Sequence, residues 1–350
     1  MNNLFSNITI KGHQVKNRIV VQPMVCFGWS DESGITSKAH IEHYENLAKG
    51  GAGLIILEAH SIQKNGRLAS TQLGIWSDDH IEGLKLIADA CHKHGATVLV
   101  QIHHAGFKTP AVVTNTALAP SAVDENGQTA KELTLEEICE IQENFVKAAK
   151  RVELAGLDGI ELHGAHGYLI DQFISPVINK REDKYGGTLT NRMTFVSEII
   201  DKIKAVVSEN FILGYRMGGN APTLDNGIEV AKNLQSLGID LLHVSAGISD
   251  GTTPETPKDF PYNWIVYLGT EIKKHVTIPV IAVNGIRTKA QAEFILERHL
   301  VDLIALGKAH LVEPNFANKI KMDLEPISCL ECKKCQWFIN GSKCPRLLNA

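Results

Sequence analysis

The chain has no apolar run of about 18 residues, the shortest that crosses a bilayer as a helix, so no membrane span is expected. Its opening, MNNLFSNITIKG, lacks a basic stretch followed by an apolar one, so no secretory leader is expected. Charge of neither sign dominates: 35 Lys and Arg against 39 Asp and Glu leave −4, which offers a polyanion no general attraction and argues against a nucleic-acid partner. Charged residues reach only 21% beside 44% hydrophobic, a balance that excludes a disordered or collagen-like chain and supplies a large core. No G-x-G-x-x-G turn follows an early strand, so an open dinucleotide-binding sheet lacks its usual signature. Linker-like Gly/Ser or Pro tracts and internal repeats are missing too. The seven cysteines are an odd number without a leader, which argues against a disulfide framework and for a reducing, cytoplasmic setting.

What is present is a rhythm. Short apolar runs fall at 19–22, 53–58, 97–102, 159–163, 212–217, 240–245, 279–283 and 302–306. They are continuously apolar, as strands of a parallel sheet covered on both faces are. Helical patterns lie between them near 37–50, 80–95, 135–155, 190–208, 226–237, 264–275, 288–298 and 313–322. Thr134 with Glu137 forms a capping-box pattern, and Ser77 precedes the acids Asp78 and Asp79 of a first turn. Eight βα units in 350 residues point to an α/β protein, a closed (β/α)8 TIM barrel. Residues 1–322 would form the barrel with a short N-terminal cap at 1–17, and residues 323–350 a cysteine-rich tail. Two connections, 103–132 and 246–263, are long and poor in apolar periodicity, which suits lids over the C-terminal face of the barrel.

In such a barrel, chemistry gathers where strands end. Gln22, Pro23, Met24 and Val25 end the first strand, Glu58 and Ala59 the second, Gln101, His103 and His104 the third. The fourth ends at His163, with His166 and Tyr168 just beyond; the fifth carries Arg216; the seventh and eighth end in Asn284–Gly285 and Gly307–Lys308. Two imidazoles at one strand mouth can aim hydrogen bonds at a single oxygen, and a phenol beside them can give or take a proton. Buried, internally satisfied polar residues or a zinc site would use the same residue types, although no third ligand has an evident spacing. Gly285 and Gly307 stand where barrels often cradle a phosphate, with Lys308 as a cation, or they simply serve turns.

These residues carry a resemblance. Lys16-Asn17-Arg18-Ile19-Val20 with Pro23-Met24, Glu58-Ala59, Gln101 with His104-Ala105-Gly106, the His163–Leu169 segment HGAHGYL, the Arg181–Arg192 segment REDKYGGTLTNR and Gly307-Lys308 resemble the old yellow enzyme family of FMN-dependent NAD(P)H oxidoreductases. The likeness runs from Leu4 to about residue 322. It implies that Gln22, Pro23, Met24 and Val25 line the flavin and that Ala59 lies against its ring. It further implies that Gln101 binds the pyrimidine edge, that Arg216 sits by N1 and O2, and that Asn284, Gly285, Gly307 and Lys308 hold the phosphate end. His163 and His166 would bind a substrate oxygen, Tyr168 would donate a proton and Phe27 would face the substrate. The implied reaction is reduction of an activated alkene by hydride transfer from the flavin, with NAD(P)H as co-substrate. The chain departs from the pattern at Val25, where the family usually has Thr or Cys, at Lys308, often Arg, and at Gln22, usually smaller.

The tail reads Cys329-x2-Cys332-x2-Cys335-x8-Cys344-Pro345. Four thiolates at this spacing suit zinc or a [4Fe–4S] cluster, or are a relic holding no metal. Longer members of the resembled family carry a similar cluster that exchanges electrons with a second flavin domain, and the chain looks like such a member cut short. Two further readings therefore stand beside the ene-reductase: an FMN/iron–sulfur protein exchanging electrons with a partner, and a metal-dependent redox sensor with a vestigial site. A small-molecule substrate and a nicotinamide are the expected partners; a homo-oligomer is left open.

Overall fold

A computed structural model describes residues 3–125, 128–248 and 251–348. Eight parallel strands close a barrel: β1 (Ile19–Val21), β2 (Leu54–Ser61), β3 (Thr97–His103), β4 (Gly159–Gly164), β5 (Ile212–Gly218), β6 (Leu241–Ser245), β7 (Val280–Val283) and β8 (Leu303–Leu306). Each pairs with its neighbours in sequence, and β8 pairs with β1. Each strand is followed by a helix, α1 (Lys38–Lys49), α2 (Ile81–His92), α3 (Leu135–Leu154), α4 (Leu189–Lys204), α5 (Leu224–Ser236), α6 (Trp264–Lys273), α7 (Lys289–Glu297) and α8 (Phe316–Lys321), besides the short helices Leu169–Ile174, Lys308–Val312 and Pro345–Leu348. All eight expected strands and helices are present. Thr134 and Glu137 exchange the two hydrogen bonds of a capping box at α3. Ser77 caps a single 3-10 turn that leads into α2.

The strand period of two sorts the core into two apolar bodies. Ile55, Leu57, Val98, Val100, Ile160, Leu162, Leu213 and Tyr215 face the helices. Val20, Leu54, Ile56, Leu99, Ile212, Leu241, Ile281 and Leu303 face the barrel axis. A hairpin of Ile8–Ile10 and His13–Val15 plugs the N-terminal end, its Ile10 and Val15 joining the axial body. The lower interior is thus dry and filled, and the next residues up each strand are polar.

The connection after β3 differs from a plain loop. Ala117–Ala119, Val123–Glu125 and Gln128–Glu132 form a small three-stranded sheet. Residues 126–127 of this connection, and 249–250 of the one after β6, lie outside the described residues. Beyond α8, the tail packs Trp337, 2% exposed, against Cys26 and Leu311. Among the described residues no helix is long and apolar enough to cross a membrane.

Candidate active site

Above the apolar plug, alternation brings one polar set inward: Gln101 and His103 from β3, Glu161 and His163 from β4, Arg216 from β5, His243 and Ser245 from β6. Register places Arg216 directly between His163 and His243. All of these are buried. Glu161 accepts from Gln101 Nε2 at 2.7 Å and from His243 Nδ1 at 2.8 Å. Arg216 has no ion pair among the described residues, and its Nε has no hydrogen-bond partner. Burial pulls its guanidinium below the usual value, opposed by Glu161 and Tyr168.

The strand 4 segment turns sharply after β4. His166 and Gly167 both take left-handed backbone, φ 60° and 71°. Left-handed backbone is costly at a histidine, so the turn must be held by its surroundings. Lys108 Nζ donates to the His166 carbonyl at 2.6 Å, Gly167 N donates to Asp171 at 2.8 Å, and Gln172 Nε2 donates to the Gly167 carbonyl at 2.7 Å. The turn brings His163, His166 and Tyr168 together: the two imidazole centroids lie 5.0 Å apart, and Tyr168 lies 4.8 Å from His163. Ala165 N donates to His163 Nδ1 at 3.4 Å, which leaves the His163 proton on Nε2. His166 Nε2 is 2.8 Å from Ser245 Oγ. Burial, with Arg216 close by, pushes both imidazoles well below their usual value, so they are neutral hydrogen-bond donors. Burial raises Tyr168, against the pull of Arg216, and keeps its proton on.

Residues 22–25 after β1 are half-buried. Gln22 Nε2 meets Met24 Sδ at 3.2 Å, and Gln22 Oε1 is buried without a partner. Cys26 N donates to Glu58 at 2.9 Å, tying this loop to β2, while Cys26 Sγ accepts from Gly341 N of the tail. Ala59 is buried, and its carbonyl accepts from Gln72. Phe27 sits half-buried in a single 3-10 turn and makes no ring contact with the His–Tyr cluster. Beside β7 and β8 opens a cavity of about 670 Å³ lined by Gln22, Met24, Asn284, Gly285, Gly307 and Lys308, among others. Asn284 and Gly285 turn there with φ 86° and 78°, and a Cβ at Gly307 would run into the Gln22 amide. Such a cradle admits a ligand only because side chains are missing from it.

The four tail cysteines line one cavity of about 20 Å³ together with Lys308 and Arg346, whose Nε is buried without a partner. Among the described residues no three Cys, His, Asp or Glu side chains converge closely enough to hold a single ion.

The structure therefore gathers His163, His166, Tyr168, Gln101 and Arg216 at one mouth and puts Gln22, Met24, Asn284, Gly285, Gly307 and Lys308 around one adjoining cavity. Sequence reasoning missed Glu161, His243, Ser245 and Lys108. Glu161 carried a usable signal, since it precedes His163 by two and must share its face.

A parallel barrel with a dry base and a buried cation beside paired imidazoles defines an enzyme of the (β/α)8 class, with its site at the C-terminal face. The chain belongs to the NADH:flavin oxidoreductase / NADH oxidase family, whose profile matches residues 3–326, and the old yellow enzyme resemblance is confirmed. It is 42% identical over 345 residues to an NADH oxidase of Thermoanaerobacter brockii, a match covering 94% of this chain and 52% of the relative. It is 40% identical over 324 residues to an NADPH dehydrogenase of Listeria monocytogenes, covering 91% and 94%. The chain thus spans about half the first relative's length and nearly all of the second's. The fold matches the old yellow enzyme homologue of Zymomonas mobilis with a TM-score of 0.79 at 27% identity, covering 98% of this chain and 99% of that one.

Proposed function

We propose that the protein is an FMN-dependent, NAD(P)H-linked oxidoreductase that reduces an activated alkene, such as an α,β-unsaturated carbonyl. The observation that carries this reading is Arg216, a buried cation with no ion pair among the described residues, level in the strand register with the neutral imidazole of His163 and near a protonated phenol. A cation so placed stabilises negative charge brought to it by a ligand.

The residues present fit FMN. Arg216, whose Nε is unpaired, and Gln101 offer polar atoms to a ring edge, Ala59 and Gln22–Val25 border it, and Asn284, Gly285, Gly307 and Lys308 surround a cradle suited to the phosphate. When bound, FMN would supply hydride chemistry fed by NAD(P)H. The rest falls to this chain's side chains. His163 and His166 donate hydrogen bonds to the substrate oxygen and stabilise the charge that develops there. Tyr168 holds a proton at its phenol oxygen for the substrate's α-carbon, and Phe27 borders the substrate from the β1 loop. The His163→Ala, His166→Ala double variant should lose binding of phenolic ligands while FMN stays bound. A double variant that still gave the phenol charge-transfer band would overturn the assignment.

A second reading adds a metal centre, favoured by Cys329, Cys332, Cys335 and Cys344 all lining one cavity. A zinc ion would need four sulfurs roughly 3.8 Å apart. No such convergence is present, whereas the four irons of a [4Fe–4S] cluster take thiolates that stand wider. Lys308 and Arg346 would face its negative charge. Bound there, the cluster would exchange single electrons with a partner protein. Anaerobically purified protein should hold about four irons and four sulfides per chain; zinc or no metal would remove this reading.

A further inference from the structure

Glu161 belongs to none of the roles above, yet it is the one carboxylate inside the polar chamber that two other chamber residues both point at. It lies level with Gln101 on β3 in the strand register, and with Gly214 on β5. Gly214 has no side chain, so Glu161 reaches across β5 to His243, one layer higher on β6. An ionised carboxylate only accepts hydrogen bonds. Both neighbours are thereby forced to donate. Gln101 must turn its NH2 to Glu161 and its carbonyl oxygen away. His243 must keep its proton on Nδ1, which leaves Nε2 as a bare acceptor, buried and without a partner. Burial, against the pull of Glu161, lowers the His243 value and keeps that ring neutral. Arg216, between His243 and His163, is a donor whose Nε has no partner.

We propose that Glu161 is the positioning residue of the cofactor floor. By accepting from both neighbours it fixes Gln101 as an acceptor in the same chamber where Arg216, one layer higher and two strands on, is a donor. That pair matches a ligand edge carrying one ring N–H next to a carbonyl oxygen, as the pyrimidine edge of a flavin does at N3 and O2. The proposal rests on the FMN reading and adds the residue that sets the polarity of the floor. A bare amide at Gln101 could present either end; the carboxylate beside it removes the choice.

The test is flavin binding by the stripped protein, measured by fluorescence quenching with FMN and with 3-methyl-FMN, which has no N3–H to donate. The wild type should prefer FMN by about tenfold, the loss expected when a buried acceptor goes unmatched. In E161Q the substituted amide has one accepting and one donating end, so Gln101 is no longer held in a single orientation. The preference should fall to about twofold or less. Gln101→Leu should remove it as well, and E161D, which keeps an acceptor-only group, should restore part of it. A purely structural role for Glu161 predicts that E161Q weakens both flavins equally and keeps the wild-type ratio; that result would overturn the proposal. Should E161Q fail to fold, the Gln101→Leu and E161D ratios decide: unchanged preference in Gln101→Leu is equally fatal. Failure of the wild type to bind either flavin would instead sink the FMN reading itself.

Discussion

Arg216→Met isolates the cost of keeping a charge ready for a ligand. The guanidinium is buried on β5, its Nε without a partner and no carboxylate in ion-pair contact among the described residues. A buried ion carries a desolvation cost of several kcal/mol, and Glu161 offsets only part of it, since that carboxylate is already shared by Gln101 and His243. An apolar chain of similar length should stabilise the stripped protein by about 1–3 kcal/mol. For a chain of this size that amounts to roughly 1–5 °C in melting temperature. FMN adds about 4.1 kcal/mol to the wild type at a thousand times its dissociation constant, and the variant should gain almost none of it. The order of stability should therefore reverse: the variant melts higher without FMN and lower with it. Melting curves of stripped and FMN-saturated protein measure all four values. A stripped variant less stable than stripped wild type by more than about 1 kcal/mol would show that Arg216 serves packing, and would refute the reasoning.

Tyr168→Phe should slow alkene reduction by about a hundredfold or more while leaving flavin reduction by NAD(P)H nearly unchanged; equal slowing in single-turnover measurements would remove Tyr168 as proton donor. Trp337→Ala should free the tail, because the ring is buried 5.0 Å from Trp29 and 4.9 Å from His43 and its truncation costs about 3–5 kcal/mol. Trypsin should then cut at Lys333 and Lys334 well before the barrel, and a tail as resistant as the wild type's would contradict the docking. Stability should peak near pH 6.5. Burial pushes His40, His43, His60, His103, His104 and His310 down to about 3 or 4, so below 6.5 the unfolded chain binds more protons and stability falls as pH drops. Burial pushes Glu58 up to about 8 and Asp171 up to about 7, so the folded chain holds protons that the unfolded chain releases near pH 4, and their contribution is lost as pH rises toward 8. Below 6.5 these six histidines outnumber the two acids; from 6.5 to 8 the acids act, joined by His92, which its hydrogen bond to Asp158 raises above the usual value. Glu58→Gln should flatten the alkaline decline in urea midpoints, and an unaltered decline would exclude Glu58 as its source.

The barrel was legible because each of its strands is short, apolar on both faces and followed by a helix of ordinary length. Elements outside that rhythm were harder to read. The three-stranded sheet after β3 uses strands of three to five residues, too short for a period to emerge. The N-terminal hairpin did leave a trace: Ile8, Ile10, His13 and Val15 alternate around Lys11–Gly12, whose φ values of 48° and 87° are those of a two-residue hairpin turn. The β-branched residues there were too few to count as strands before the axial plug they complete was visible.

The site divides along a different line. His163, His166, Tyr168 and Arg216 stand out in sequence because polar side chains at strand ends are expensive unless used. Glu161 and His243 are just as polar, but they lie within apolar runs, where a single polar residue reads as an interruption. Their meaning depends on which strands become neighbours. Only closure in the order β3, β4, β5, β6 sets Gln101 beside Glu161, and only the missing side chain at Gly214 opens the way to His243. The same holds for the tail. Spacing grouped its four cysteines, but the docking of Trp337 on Trp29 and His43, and of Gly341 on Cys26, depends on where the β1 loop and α1 stand in the fold. Chemistry that one strand presents can thus be read from its own residues, whereas chemistry shared between strands becomes readable only once the barrel is closed.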